Sequence, residues 1–228
     1  MSKNQLFAHL EIHFSEARLR QYLEHAGRDE DKALELYSWN SKLAASFFID
    51  LGHLEVALRN AIDTRMTLRH NALKRPQSWL DDPTGELGRD LHSSGRPHHK
   101  QPYKDIAIAR NRVRSNRKDL THGQILSETL FGLWHQLVSK RWTSKLWPDL
   151  ARAFPHSPDR RRETVSVPVA DLRDLRNRIG HHHRIWLQPC AKRHQQLLDL
   201  AGYIDPELRA WIRESSAVPG LLNGSPLA

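Results

Sequence analysis

The chain has a single cysteine and no long run of apolar residues. Cys190 on its own excludes an intrachain disulfide and a zinc site built from several cysteines, so we interpret it as a structural residue in a reducing compartment. The N-terminal stretch MSKNQLFAHLEIHF is polar and charged throughout and is unlike a signal peptide. No later stretch approaches the ~20 apolar residues that span a bilayer. The sequence therefore predicts a cytoplasmic protein with no membrane partner.

The sequence also lacks the strand pattern of alternating apolar and polar residues, internal repeats and a glycine-rich phosphate loop. Apolar residues instead recur at spacings of three and four. From residue 15 to about residue 69 this pattern predicts two or three helices, with a connection near Gly27, and a last helix is predicted from Ala191 to Trp211. We therefore predict an all-α fold, a helical bundle forming one domain over residues 1–228.

Three segments between or after these helices are predicted separately. Residues 74–102 are rich in proline and glycine and predict a long loop between helices, either a lid over a site or a disordered insertion. Residues 125–147 predict one helix largely inside the core, with Trp134, Trp142 and Trp147 as core candidates. Pro168 is predicted in the first turn of the next helix, and residues 217–228 are predicted to be a flexible tail.

Positive charge exceeds negative charge in this chain. Lys and Arg together number 35 against 26 Asp and Glu, a formal charge of +9 before any of the 15 His is protonated. This balance favours an acidic partner such as nucleic acid, because cations close to phosphates release condensed counterions. It does not distinguish RNA from DNA, and a basic surface that only keeps the protein soluble remains the alternative.

The densest positive stretch runs from residue 103 to residue 119, where a helix is predicted. Its cations point around most of the helix, as on a solvated face. The alternative is RNA contact, with Tyr103 stacking on a base. The candidate RNA-binding residues are Lys104, Arg110, Arg114, Arg117 and Lys118.

The segment ADLRDLRNRIGHHHRIW, from Ala170 to Trp186, carries the residues best suited to chemistry. If it is helical throughout, successive residues turn by about 100°, which places Asn177, His181 and Arg184 on one edge. Arg176 lies between that edge and a buried stripe. The stripe is formed by Leu172, Leu175, Ile179 and Trp186.

An imidazole and a guanidinium on one edge suit cleavage of RNA without a metal. A neutral imidazole can accept the proton of the ribose 2′-OH, since its ordinary pKa of about 6.5 lies near working pH. A guanidinium can bind two oxygens of the charged phosphorane at once. We choose His181 as the base over His183, and expect His182 to pack against the apolar stripe.

The histidine run also invites a metal site, but consecutive side chains on a helix diverge and cannot converge on one ion. No HExxH motif or acidic partner is nearby in the sequence. We therefore expect neither a metal nor another cofactor. A metal hydrolase built on the histidines stays an alternative that a chelator separates from the metal-free reaction.

At these residues the chain resembles the HEPN superfamily, whose signature is an arginine, a polar residue and, a few residues later, a histidine. Arg176, Asn177 and His181 match it. The surroundings resemble the Abi-like (abortive infection) branch, because LYSWNSKLA, LEVALRNAI, HGQILSETLFGLWHQL and SKLWPDLARAFP follow in the family's order. The resemblance covers roughly residues 15 to 200. Gly180 departs from it, since the branch usually has Ala there, and this glycine is expected to mark a kink or the helix end before His181.

This resemblance implies a HEPN-like bundle that forms a homodimer with a composite active site. It implies a metal-independent endoribonuclease acting in phage defence or as a toxin, with a 2′,3′-cyclic phosphate on its product. Arg176, Asn177 and His181 are then catalytic. The supporting residues are Glu55, which is expected to orient an arginine of the signature, and Arg59, Asn60, His182, His183 and Arg184.

Two other interpretations of the same residues stay open. One is a helical module on the same scaffold that binds RNA or a protein partner without cutting, and the other is a basic helix whose Arg and His residues are merely solvated. The sequence does not identify the RNA, the trigger, or a cognate inhibitor or antitoxin.

Overall fold

The fold is known from a computed structural model that describes residues 3–227, with side chains described from Leu6 onward. Within that range the chain is all-helical, as predicted, and contains no strand. The α-helices, in chain order, are α1 (Lys3–Phe14), α2 (Glu16–His25), α3 (Glu30–Ala72), α4 (Tyr103–Ser115), α5 (His122–Ser127), α6 (Phe131–Leu137), α7 (Trp147–Leu150), α8 (Arg162–Gly180), α9 (Cys190–Ile204), α10 (Pro206–Ser215) and α11 (Val218–Asn223).

Helix α3 is the spine of the bundle. It has 43 residues, which corresponds to a length of about 65 Å, and Asp29 caps its first turn by accepting a hydrogen bond from the Lys32 N–H at 3.0 Å. Helices α1, α2, α7, α8, α9 and α11 pack against it. Its buried stripe recurs at spacings of three and four and includes Leu43, Phe47, Leu51, Leu54, Leu58 and Ile62.

The stretch 125–147, predicted as one helix, is broken into the short helices α5, α6 and the start of α7, so that prediction is wrong. The hydroxyl of Thr129 donates to the carbonyl of Leu126 at 2.6 Å, which replaces a helical partner where α5 ends. The prediction that Trp134, Trp142 and Trp147 lie in the core is confirmed. On one straight helix these side chains would point to different sides. Breaking the stretch into short helices allows all of them to be buried in the core.

Proline positions account for two further corrections. Pro168 lies inside α8, six residues after Arg162, and not in the first turn of that helix. The predicted helix from Ala191 to Trp211 is two helices, α9 and α10. Asp205 separates them and caps α10 by accepting from the Glu207 N–H at 2.7 Å, and Pro206 cannot continue α9 because it has no N–H to donate.

The predicted flexible tail contains a helix of its own. In α11 the side chain of Val218 is fully buried, and the indole of Trp39 donates to the carbonyl of Leu221 at 2.8 Å. The C-terminal segment is therefore tied to α3 at this point, contrary to the prediction.

The loop from residue 74 to residue 102 is anchored to the bundle in its first half. Trp79, Leu80 and Leu87 are buried. The carboxylate of Glu86 accepts hydrogen bonds from Arg69, on α3, and from Arg75. These contacts hold the loop along α3, and its residues line none of the three cavities near α8 that are described below.

A chain of hydrogen bonds joins this loop to α3 and α5. The Ser78 hydroxyl lies 2.7 Å from His122 Nδ1, and His122 Nε2 lies 2.9 Å from the Asp63 carboxylate. The Ser78 oxygen also accepts from the Leu80 N–H, and Asp63 accepts from the Trp79 indole. Because each group is committed to neighbouring backbone or core atoms, we assign this Ser–His–Asp chain to structure.

None of the helices in residues 3–227 has the length and apolar character that crossing a membrane requires.

Candidate functional site

The candidate site lies at the C-terminal end of α8. Leu172, Leu175 and Ile179 are buried, which confirms the apolar stripe up to that point. The helix ends at Gly180, as the glycine indicated, so the helical arrangement predicted beyond it is wrong.

The end of α8 has the hydrogen bonds of a Schellman motif. The His183 N–H donates to the Arg178 carbonyl at 2.8 Å, and the His182 N–H donates to the Ile179 carbonyl at 2.9 Å. His182 takes the left-handed conformation that this motif needs, with φ of 54°. A glycine usually occupies this position, so the residue type at position 182 does not indicate the left-handed turn.

Arg176 is half-buried and has no hydrogen-bond acceptor within the described part of the chain; its Nε is fully buried without a partner. The guanidinium extends toward the helix end, since its Nη1 lies 3.9 Å from the position of a Cβ built on Gly180. With Asn177 it lines a groove of about 230 Å³ between α4, α6 and α8. A cation without a partner beside open space is suited to binding an anion.

Glu55, on α3, lies close to Arg176. Burial raises the pKa of the Glu55 carboxyl, and the charge of Arg176, a hydrogen bond with the backbone of Phe131 and the charge of Arg59 partly oppose that rise. Arg59 and Asn60, which are predicted to support the site together with Glu55, are hydrogen-bonded to each other: Arg59 Nε donates to the Asn60 side chain at 3.3 Å. Glu55 is therefore close enough for its charge and that of Arg176 to interact.

The three consecutive histidines are all exposed. His181 directly follows Gly180, and its ring centroid lies 6.0 Å from that of His183. His182 is exposed, so the prediction that it packs against the apolar stripe is wrong; its left-handed backbone lies beyond the end of α8. Among the described residues no group of three or more His, Cys, Asp or Glu is arranged to hold a metal ion.

Arg184 and Trp186 do not continue α8. The Arg184 guanidinium lies 6.0 Å from the centre of the Trp186 indole, which itself packs edge-on against Tyr22 at 4.8 Å. The turn is held from two sides: Arg18 donates to the His182 carbonyl at 2.9 Å, and the Ile185 N–H donates to the buried Asn40 side chain at 2.9 Å. The predicted edge of Asn177, His181 and Arg184 on one helix is therefore not formed.

The predicted RNA-binding cations differ in availability. Lys104, Arg110 and Arg114 lie on α4, and Arg117 and Lys118 lie just after its end. Arg110 is half-buried and forms an ion pair with Asp81 of the loop, so its role is structural. Tyr103 is buried, which excludes the predicted stacking on a base. The remaining candidates are exposed: Lys104, Arg114, Arg117 and Lys118.

Sequence reasoning missed three residues beside Arg176. Arg112 and Arg173 line the same groove, and Arg173 Nη1 lies 2.9 Å from Nδ1 of His135 on α6. Arg173 precedes Arg176 by three residues, so helical spacing alone placed it on the same face. Nothing in the sequence pointed to His135, because its contact depends on how α6 packs against α8.

No protein-family model, curated protein or solved structure matches the chain. A function therefore has to be inferred from the residues themselves.

Proposed function

We propose that the chain is a metal-independent endoribonuclease of the HEPN type, of the Abi-like branch, acting in the cytoplasm in phage defence or as a toxin. One observation carries the proposal: the unpartnered Arg176 guanidinium lies against Gly180, and the next residue is the exposed His181. Arg176 and Asn177 line the groove beside α8, and His181 is exposed at the helix end toward which the Arg176 guanidinium extends.

In the proposed reaction the neutral imidazole of His181 accepts the proton of a ribose 2′-OH. The 2′ oxygen attacks the adjacent phosphorus, and the bond to the 5′ oxygen of the next nucleotide breaks. The products are a 2′,3′-cyclic phosphate and a 5′-hydroxyl. In this proposal Arg176 stabilises the negative charge that develops on the phosphorane, and the Asn177 amide donates to a phosphate oxygen.

Glu55 has a supporting role in this proposal. Its carboxylate lies near the Arg176 guanidinium and the start of α6, and a nearby negative charge favours one orientation of a cation. Arg59 lies one turn after Glu55 on the same helix, and its charge acts on the Glu55 carboxyl.

We also propose a homodimer with a composite site. His181 and His183 are exposed at the helix end, where the same residues of a second copy can face them across a two-fold axis. Light scattering of the purified protein tests for the dimer. Mixing Arg176→Ala chains with His181→Ala chains tests the composite site. If the mixture is active although each variant alone is inactive, one site must take residues from both copies.

The central experiment compares purified wild type with His181→Ala on total RNA, in the presence of a chelator, and sequences the RNA ends. We expect wild type to leave cyclic phosphates and the variant to lose activity by about a hundredfold or more. His156→Ala is the matched control, since His156 is an exposed imidazole on the turn before α8. Equal RNA degradation by wild type and His181→Ala would refute the proposal, and loss of activity with chelator would favour a metal hydrolase.

A binding module that does not cut RNA is the second candidate, favoured by the exposed cations Lys104, Arg114, Arg117 and Lys118. In that case replacing these residues abolishes RNA binding, while His181→Ala changes neither RNA integrity nor growth of cells that express the protein.

A further inference from the structure

Two adjoining cavities lie between helices α1–α3 and the turn that follows α8. Their volumes are about 660 and about 400 Å³, within the range of small-molecule sites. Arg18, Tyr22, His182 and His183 line both of them. We call the two cavities together the α2 cleft.

The larger cavity has an aromatic wall. Phe14 and Tyr37 are stacked, with centroids 5.2 Å apart and planes inclined by 18°, and the Phe48 side chain is 52% exposed. Ala44, Ala45 and Ile179 add to the apolar part of the lining. Exposed aromatic faces of this kind bind flat rings by stacking.

The smaller cavity is cationic. Arg18, Arg178 and Arg184 line it with His182 and His183. Burial raises the pKa of the Tyr22 phenol to about 12, and the nearby charges of Arg18 and Arg184 oppose that rise. No Asp or Glu among the described residues lines either cavity. Three guanidinium groups without a carboxylate among the lining residues favour a phosphate.

We propose that the α2 cleft binds one nucleotide unit, with its base against Phe48 and its phosphate toward Arg18 and Arg178. A nucleotide joins a flat aromatic ring to a phosphate through a sugar, and this matches an aromatic cavity that opens into a cationic one. Gly180 lines the aromatic cavity, and Arg176 Nη1 lies 3.9 Å from the position that a Cβ on Gly180 would take. The cleft therefore adjoins the candidate catalytic residues, and the identification of the occupant as a nucleotide of the RNA substrate rests on the proposed function.

Binding is tested in a His181→Ala background, so that RNA is not consumed and the outcome does not depend on cleavage. The probe is a fluorescein-labelled RNA hexamer, followed by anisotropy, with AMP, GMP, CMP and UMP and ribose 5-phosphate as competitors. We expect Phe48→Ala and Arg178→Ala each to weaken hexamer binding about tenfold. The matched controls are Ile49→Ala, the next residue and 59% exposed, and Arg152→Ala, an exposed arginine elsewhere; both should bind as the parent does.

The conservative variants Phe48→Trp and Arg178→Lys separate contact from folding, and each should recover most of the lost affinity, with thermal unfolding unchanged. Competition by a mononucleotide in the micromolar range would show that a free nucleotide also enters the cleft, whereas competition by longer RNA alone would identify the substrate strand. The proposal is overturned if the cleft variants bind like their controls, or if ribose 5-phosphate competes as well as a nucleotide. If cleavage proves independent of His181 while the cleft variants still lose binding, the proposed function fails and the nucleotide site remains.

Discussion

Arg176 Nη1 lies 3.9 Å from the position of a Cβ on Gly180, so the guanidinium reaches one turn along α8 and rests beside the last helical residue. The half-buried arginine therefore approaches the turn that carries the histidines from within the helix. This contact joins the groove beside Asn177 to the end of α8, and it makes Gly180 part of the site although it has no side chain.

Gly180→Ala should stabilise the protein. The new methyl group would stand at an ordinary van der Waals distance from Arg176, the glycine has no positive φ, and alanine restricts the unfolded chain more than glycine does. We expect a gain of about 0.5 kcal/mol in the free energy of unfolding, measured by urea denaturation, with RNA cleavage retained. Gly27→Ala is the control, because φ of 64° at Gly27 should make that change destabilising. A loss of stability in Gly180→Ala would show that the helix end requires glycine.

Arg110→Ala should cost stability and leave RNA affinity unchanged. Arg110 forms an ion pair with Asp81, and the two side chains are only 20% and 25% exposed. Loss of this ion pair should lower the free energy of unfolding by about 1 kcal/mol. Lys104→Ala, on the same helix but exposed, should change stability by less than about 0.5 kcal/mol. If Arg110→Ala folds normally but binds RNA more weakly than Lys104→Ala does, Arg110 is a ligand for RNA after all.

Glu86→Gln should show how charge holds the loop. Burial alone would raise the pKa of Glu86, but hydrogen bonds from Arg69 and Arg75 lower it below its ordinary 4.5. A lowered pKa means that ionised Glu86 contributes stability above that ordinary value and loses the contribution as the pH falls through the lowered one. We therefore expect Glu86→Gln to cost roughly 2 kcal/mol near neutral pH, and the difference from wild type to shrink in acid.

Urea denaturation from about pH 7 to about pH 3 measures that difference. Glu214→Gln is the control, since Glu214 is an exposed carboxylate on α10. If the difference in the free energy of unfolding between wild type and Glu86→Gln stays constant across this pH range, packing and not charge holds the loop.

The sequence predicted best where apolar residues recur over several turns. The stripe of Leu172, Leu175 and Ile179 in α8 is buried as expected, because the spacing of apolar residues indicates which face of a helix packs into the core. The helix boundaries from Ile125 to Trp147 were predicted poorly. Apolar residues are so frequent there that no single helical face stands out, and α5 ends where the Thr129 hydroxyl donates to the Leu126 carbonyl.

The sequence predicted only part of the candidate site. The positions of Arg176 and Asn177 could be predicted because both lie on the regular helix α8, but the arrangement of His182 and Arg184 depends on a left-handed residue that is not glycine. Arg18 and His135 reach the region from other helices, and only tertiary packing brings them there.

His135 should prove to be a positioning residue for the proposed reaction. Burial lowers its pKa, and the adjacent Arg173 lowers it further against an opposing effect of Asp174. The ring is therefore neutral near pH 7, so its Nδ1 can accept from Arg173, while Asp174 accepts from the other side of the same guanidinium at 2.8 Å. Arg173 is thus held between two acceptors where it lines the groove with Arg176, and His135→Ala should raise KM for RNA by about threefold to tenfold with a smaller change in kcat.

Lowering the pH should raise the KM for RNA, as His135→Ala is expected to do. Because the pKa is lowered, the folded protein takes up the His135 proton only below the ordinary 6.5, and two adjacent cations then repel each other. In wild type KM should therefore rise as the pH falls below that value. His135→Asn keeps an acceptor that does not titrate, so it should restore a near-normal KM at neutral pH and remove this part of the acid dependence. An unchanged KM in His135→Ala, or identical pH profiles for wild type and His135→Asn, would leave Arg173 with no role in holding RNA.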